Sequence, residues 1–112
     1  MAETLTMSKQ KQQKLELDVK SLHKAKLVYR AINHKLRLQI LHLIHREGRI
    51  IVTKIYKTLR IEQSVASQHL AILRSAGYVK TERDGKFIFY SVNYDRIKQV
   101  HEIADQLLTK TK

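Results

Sequence analysis

One face of a predicted helix offers hydrogen-bonding side chains without charge. A helical period over residues 63–76 places Ala66, Leu70 and Leu73 on one side. The opposite side carries only small or uncharged polar residues: Ser64, Ser67, Gln68, Ala71 and Ser75. Such side chains let a helix approach the major groove of DNA, where Ser and Gln bond to base edges. Gln63 and Ser64 fall in the first turn, whose free backbone N–H groups attract a phosphate. The alternative is a plain polar face, although solvated helix faces more often carry Lys and Glu.

Two cations at the tip of a predicted hairpin form a second candidate site for contact with nucleic acid. Asp84-Gly85 separates two predicted strands and is a two-residue hairpin signal. Arg83 and Lys86 flank this turn and are expected to pair across it, pointing from the tip. That arrangement suits contact with phosphate or with a minor groove. The alternative is a charged tip that only protects a sheet edge.

The chain offers little for catalysis. It has no cysteine, which excludes thiol chemistry, disulfides and thiolate metal sites. It shows no Gly-rich phosphate loop and no paired carboxylates at catalytic-looking positions. Ser67 and His69 face different directions on a helix, so they cannot form a nucleophile–base pair. We expect no enzymatic activity and no cofactor.

Six histidines remain as candidate metal ligands. His42 and His45 share a helix face and could chelate zinc together with a third ligand. No carboxylate is well placed beside them, and Glu47 is the nearest in sequence. A surface pair is therefore favoured, and no metal site is expected. His101 could respond to pH.

The charge points to a polyanionic partner. The 112 residues include 22 Lys and Arg against 10 Asp and Glu, a net charge of +12. This excess favours DNA, RNA or an acidic membrane surface; the alternative is an unspecialised basic surface. Residues 87–112 carry four basic and three acidic side chains, so this quarter suits nucleic acid least. No apolar run could span a bilayer, and the start lacks the apolar part of a secretory signal, so a cytoplasmic location is expected.

Helical periodicity predicts one domain over residues 15–112, after a flexible extension over residues 1–14. An apolar stripe beginning at Leu15 predicts a first helix, with Ser21 as a possible break. Asn33 is a good N-cap for a second helix.

The second helix is expected to end at Gly48. A brief strand over residues 49–52 follows, and Thr53 could cap a short helix. The helix with the polar face comes next, and Gly77 ends it.

Strands are predicted over residues 79–83 and 86–92, and Asn93 could cap a last helix. That helix has a clean apolar stripe: Ile97, Val100, Ala104, Leu107 and Leu108. The order is helix, helix, short strand, helix, helix, hairpin, helix. It predicts a mainly α fold with a small β hairpin, a winged helix-turn-helix.

Three segments of the chain resemble motifs of the ArsR/SmtB family of bacterial repressors. Residues 63–79, QSVASQHLAILRSAGYV, resemble the recognition helix of that family. Residues 80–92, KTERDGKFIFYSV, resemble its wing, and residues 31–41, AINHKLRLQIL, resemble the signature of its second helix. The resemblance covers about Leu22 to Leu108.

The chain departs from the family pattern at three positions. Lys35 stands where the family usually has proline, and Glu62 where Ser or Thr often caps the recognition helix. Tyr78 replaces the usual Leu after the glycine. None of these changes conflicts with the fold.

The resemblance implies a homodimeric repressor that binds double-stranded DNA of the bacterial nucleoid. Its first and last helices would pair across a two-fold axis through Leu22, Tyr29, Ile97, Val100, Ala104, Leu107 and Leu108. The alternative is packing of that stripe within one subunit. DNA contacts would come from Gln63, Ser64, Ser67, Gln68, His69, Arg83 and Lys86, of which His69 is similar to the histidine of the family motif. A two-fold dimer would read an inverted repeat with half-sites about one helical turn apart.

The metal-sensing sites of the family are not matched by this sequence. One site needs cysteines, which the chain lacks. The site on the last helix, aligned from Asp95, would fall on Ile97, Leu108 and Thr111, none of which suits a metal. The sequence therefore predicts no metal response and leaves any inducer unknown. Two other functions stay open: an architectural DNA-binding protein with little sequence choice, and a winged-helix module that binds proteins.

Overall fold

The computed structural model describes residues 19–110. The extension predicted over residues 1–14 and the predicted helix start at Leu15 lie outside the described residues. No helix in the described part is long and apolar enough to cross a membrane.

Helices and strands follow each other in the predicted order. Helix α1 covers residues 19–32 without a break at Ser21. The elements that follow are α2 (Lys35–Glu47), β1 (Ile50–Ile51), α3 (Val52–Leu59), α4 (Gln63–Ser75), β2 (Val79–Asp84), β3 (Phe87–Val92) and α5 (Tyr94–Lys110). The strands form one antiparallel sheet in the order β1-β3-β2. Helices α3 and α4 are the predicted helix pair and the β2–β3 hairpin is the wing, so the winged helix-turn-helix is confirmed.

Two predicted helix caps are wrong, by one residue at α2 and by two residues at α3. His34, not Asn33, caps α2, and its Nδ1 accepts a hydrogen bond from the backbone N–H of Leu36 at 3.2 Å. An unprotonated imidazole nitrogen can accept as the oxygen of an ordinary cap does. Helix α3 begins at Val52, so Thr53 lies inside its first turn.

The turn of the wing is also shifted by one residue. Asp84 pairs with Phe87 at the ends of the two strands, so the turn is Gly85-Lys86 and not Asp84-Gly85. Gly85 has φ 64°, and Lys86 does not share that positive φ. A positive φ at the first central residue alone matches a type II′ turn, whereas type I′ needs it at both. At the end of α2, Gly48 has φ 80° and is confirmed as the stop.

The core lies where α2, α3, α4 and the sheet meet. Its largest fully buried side chains are Ile40, Ile44, Ile50, Ile55, Leu70, Leu73 and Tyr78. The predicted inner face of α4 is confirmed, because Ala66, Leu70 and Leu73 are all buried. The hydroxyl of Tyr78 donates to the carbonyl oxygen of Val28 at 2.9 Å and so ties α1 to the core.

Candidate nucleic-acid interface

The polar face of α4 lies open to solvent. Gln63, Ser64, Ser67 and Gln68 are exposed, and Ala71 and Ser75 continue the same surface toward the end of the helix. Burial of the opposite face fixes the rotation of the helix, so these side chains point outward together. The surface offers hydroxyl and amide groups, which can form hydrogen bonds to base edges in a major groove.

The first turn of α4 has free donors. Its N-cap is Glu62, which makes no side-chain capping hydrogen bond. The carbonyl of Glu62 accepts from the N–H of Ala66, so the N–H groups before Ala66 have no partner within the helix. An anion at this end would meet both these donors and the positive end of the helix dipole.

The structure places His69 apart from the exposed face. Its ring is half-buried, and its Nδ1 accepts a hydrogen bond from Nε of Arg37 at 3.1 Å. The ring of His34 lies beside it, with 4.8 Å between centroids. Burial lowers the pKa of His69, and electrostatic interactions with His34 and Arg37 lower it further. The neutral imidazole is therefore favoured, and it holds α4 against α2.

Arg37 joins three helices and was missed by the sequence analysis. From α2, its Nη1 donates to the carbonyl oxygens of Arg30 and Ala31 at 3.3 and 3.2 Å, near the end of α1. Its Nε donates to His69 on α4. Cations suit the carboxyl end of a helix because its last carbonyls carry partial negative charge. The sequence signal was only an arginine in the first turn of α2, which by itself shows no partner.

The register of the wing separates the two predicted cations. Arg83 pairs with Ile88 on the neighbouring strand, and Lys86 lies in the turn, so the two do not pair across it as predicted. Both are exposed. Because side chains alternate along a strand, Arg83 and Ile88 share the sheet face that continues to Tyr90. That face adjoins α4, so Arg83 lies on the same side of the wing as the recognition helix.

Arg49 supports the other face of the wing. Its guanidinium lies 3.8 Å from the ring centroid of Phe89, and its Nη2 is 3.0 Å from Oδ2 of Asp84. The paired side chains are 46% and 67% exposed, so the ion pair adds little stability. Its effect is orientation, because it holds the acid near the tip away from the face with Arg83.

A depression between α4 and the wing brings together residues that the sequence did not connect. It has a volume of about 500 Å³ and is lined by Ser67, Ala71, Arg74, Ser75 and Tyr90. Arg74 and Tyr90 were not predicted to take part. The depression thus combines a guanidinium, two serine hydroxyls and a phenol. Together these groups can bind a phosphate group of a DNA strand that crosses it.

The apolar stripe predicted for the dimer interface is largely open. Leu22 is 65% exposed, and Leu107 and Leu108 are 58% and 67% exposed. The other predicted interface residues, Tyr29, Ile97, Val100 and Ala104, are half-buried and line one hollow between α1, α2 and α5. These residues lie on α1 and α5.

The two histidines considered for metal binding, His42 and His45, have different neighbours. His45 shares a 2.7 Å hydrogen bond with the hydroxyl of Tyr94, and His42 lies in the hollow with His101. Residues 19–110 contain no group of three potential ligands arranged around a common point.

The chain is similar to a known family of transcription regulators. The model of the family described as "Bacterial regulatory protein, arsR family" matches residues 34–81. An HTH-type transcriptional regulator of Methanocaldococcus jannaschii is 37% identical over 84 residues, which cover 75% of this chain and 94% of that protein.

Solved structures agree with this assignment. Reduced HlyU from Vibrio cholerae is 32% identical with a TM-score of 0.62, covering 82% of this chain and 95% of that one. The transcriptional repressor PagR of Bacillus anthracis is 30% identical with a TM-score of 0.61, covering 80% of this chain and 98% of that one. These relatives are transcription regulators and not enzymes, in agreement with the prediction. The chain belongs to the ArsR family of DNA-binding, winged helix-turn-helix transcription regulators.

Proposed function

We propose that the chain is a sequence-specific transcriptional repressor that binds an inverted-repeat operator as a homodimer. The observation that carries this proposal is the exposed face of α4, whose uncharged side chains lie beside a cationic wing. Gln68 and Ser67 read base edges in the major groove. Arg83 and Lys86 contact the backbone or minor groove, and the depression holds a phosphate between Arg74 and Tyr90.

The structure supports a contact role for six of the seven predicted DNA-binding residues and a different role for His69. Because the Nδ1 of His69 already accepts from Arg37, we assign it to positioning α4. Gln63 and Ser64 supply N–H groups and hydroxyl or amide groups at the start of the helix.

The dimer is supported by the open stripe on α1 and α5. A single chain gains nothing from leaving Leu22 and Leu107 in water, whereas a two-fold pairing buries both. It also sets two recognition helices at a fixed spacing, which is what an inverted repeat requires.

The direction of regulation is drawn from the relatives. PagR is named a transcriptional repressor and HlyU of Vibrio cholerae a transcriptional activator. We propose repression, through occupancy of a promoter, and no response to metal ions. The lack of cysteine supports the second point.

The decisive experiment is a selection of bound sequences from random DNA with the full-length protein. A repressor of the proposed kind enriches an inverted repeat and binds it about 10³-fold or more tightly than random DNA at physiological salt. An architectural protein would enrich no motif and would show a ratio near one. The enriched site is then placed at a reporter promoter, where addition of the protein should lower transcription. A rise in transcription would show activation instead.

Titration of the protein–DNA complex with metal ions tests whether binding is independent of metals. Micromolar zinc, cobalt or cadmium should leave the protein bound to the selected site. Tight, stoichiometric metal binding that releases the wild type, but not a His42→Ala/His45→Ala variant, would overturn this part of the proposal.

A further inference from the structure

A groove at the edge of the exposed face of α4 has an unusual composition, and it shares Ala71 and Ser75 with the depression beside the wing. It lies between α1, α2 and α4 and has a volume of about 620 Å³. Its walls carry three cations, Lys24, Arg30 and Arg37, and an apolar floor that includes Leu27 and Ile72. We call this surface the α1–α4 groove.

Residues 19–110 leave the charge in this groove without a neutralising carboxylate. No carboxylate lines it, and in the part of the chain that the structure describes none of its three cations forms an ion pair. Leu27 is 53% exposed and Ile72 is 37% exposed, so the floor meets solvent as well. An occupant that satisfies both features has an anionic head and a hydrocarbon body.

Arg37 connects such an occupant with the recognition helix, α4, because it both lines the groove and binds His69. Its Nε and Nη1 hold His69 and the carbonyls at the end of α1, and among residues 19–110 its Nη2 has no hydrogen-bond partner. A guanidinium binds a carboxylate with two parallel N–H donors, so a ligand head at Nη2 competes for Nη1 or Nε. Engagement of the ligand would therefore weaken the link from α2 to α1 or the link from α2 to α4.

We propose that the α1–α4 groove is an effector site for a small amphipathic carboxylate, and that its occupation changes the affinity for operator DNA through Arg37. Ligand binding stands by itself, whereas its effect on DNA rests on the proposed function. The groove shares no residue with the predicted dimer stripe. Because coupling is reciprocal, operator-bound protein binds the ligand with an affinity changed by the same factor.

The test uses decanoate as the probe and decanol and decylammonium as matched controls. Calorimetry on the full-length protein without DNA should show one decanoate per protomer and much weaker binding of both controls. Lys24→Gln and Arg30→Gln should each weaken decanoate binding about two- to fivefold, as removal of an exposed ion pair does. Leu27→Gln should weaken it as well. Lys20→Gln and Val19→Gln, on the same helix but outside the groove, should leave it unchanged.

Every other outcome contradicts a specific part of this proposal. No binding, equal binding of decanol, or equal weakening in the Lys20→Gln control would show that the groove is not a carboxylate site. Dissociation of the dimer in sedimentation on adding decanoate would place a second copy of the chain in the groove. If Lys24→Gln and Arg30→Gln weaken DNA binding but not decanoate binding, the cations serve DNA phosphates. Decanoate that binds in the groove without shifting operator affinity at least twofold would overturn the coupling through Arg37.

These outcomes are separable from failure of the proposed function. A protein that selects no operator can still bind decanoate in calorimetry, and that measurement needs no DNA. Conversely, a specific repressor that ignores decanoate would refute only the effector site.

Discussion

Arg37 donates from Nε to Nδ1 of His69 across 3.1 Å, and this contact joins α2 to the recognition helix. A guanidinium always carries its proton, so the imidazole nitrogen must be free of one. The contact therefore exists only while His69 is neutral.

The stability of the protein should depend on pH through His69. Burial, followed by electrostatic interactions with His34 and Arg37, lowers the pKa of this group below its ordinary value of 6.5. The folded protein then binds fewer protons than the unfolded chain, so the free energy of unfolding decreases as pH falls below about 6.5 and through the lower native pKa. Urea unfolding between about pH 8 and pH 5 measures this slope.

The matched variants for this slope are His69→Gln and His101→Gln. Glutamine keeps an acceptor for Arg37 but does not titrate, so His69→Gln should flatten the dependence. His101→Gln changes an exposed histidine of α5 and should retain the wild-type slope. Equal slopes in wild type and His69→Gln would refute the assignment.

Gln68→Ala should remove a base contact. On the selected operator we expect a loss of about 1–3 kcal/mol, with little change on random DNA. Fluorescence anisotropy on both DNAs measures the difference, and Gln39→Ala, on exposed α2 surface, is the control. An equal loss on random DNA would mean that Gln68 reads no base.

Arg83→Ala should weaken binding by removing a backbone or minor-groove interaction of the wing. The magnitude of the salt slope should fall by about 0.9 for each phosphate that the dimer no longer neutralises. Lys98→Ala removes the same charge from α5 and should leave the slope as it is. If Arg83→Ala changes neither affinity nor slope, the wing does not touch DNA.

Leu107→Glu should separate the dimer. The side chain is 58% exposed in one chain, so the change should not unfold the monomer, yet it would bury an unpaired carboxylate in the proposed interface. Sedimentation should show monomers, and operator affinity should fall because the two half-sites no longer act together. Gln106→Glu places the same charge one residue away, off the apolar stripe, and should remain dimeric. A dimeric Leu107→Glu would place the interface elsewhere.

Tyr78→Phe should cost about 0.5–1.5 kcal/mol of stability. The substitution keeps the buried ring but removes the hydroxyl that donates to Val28 at 2.9 Å, which leaves that carbonyl without its partner. For a domain of this size the melting temperature should fall by about 4–8 °C per kcal/mol, compared at equal protein concentration. Tyr56→Phe, which removes a hydroxyl from half-buried α3 surface, is the control. An unchanged melting temperature in Tyr78→Phe would show that the link to α1 adds no stability.

Periodicity predicted the elements and the inner face of α4, because burial of Ala66, Leu70 and Leu73 follows directly from helical spacing. It could not place the caps and the turn. His34 replaces Asn33 as the cap because its imidazole nitrogen accepts from the free N–H of Leu36. No sequence pattern shows that contact. The hairpin shifts because Asp84 stays in strand β2, where it pairs with Phe87.

The part of the site that sequence reasoning missed depends on contacts between distant segments. Arg37 and His69 are 32 residues apart, and Arg49 and Asp84 are 35 residues apart. Neither pair has a spacing that local rules recognise. Arg74 and Tyr90 line one depression only because the wing packs beside α4.

The buried and the exposed residues of α4 are subject to different selective pressures. The side chains that hold the helix in the core, Ala66, Leu70 and Leu73, are not among those that face outward. In the proposed operator complex, substitutions at Ser64, Ser67 or Gln68 would therefore change which operator is bound while the folded scaffold stays intact. A duplicated copy of this gene could acquire a new target by few changes on one surface. If the recognition residues also formed the core, the same changes would destabilise the fold.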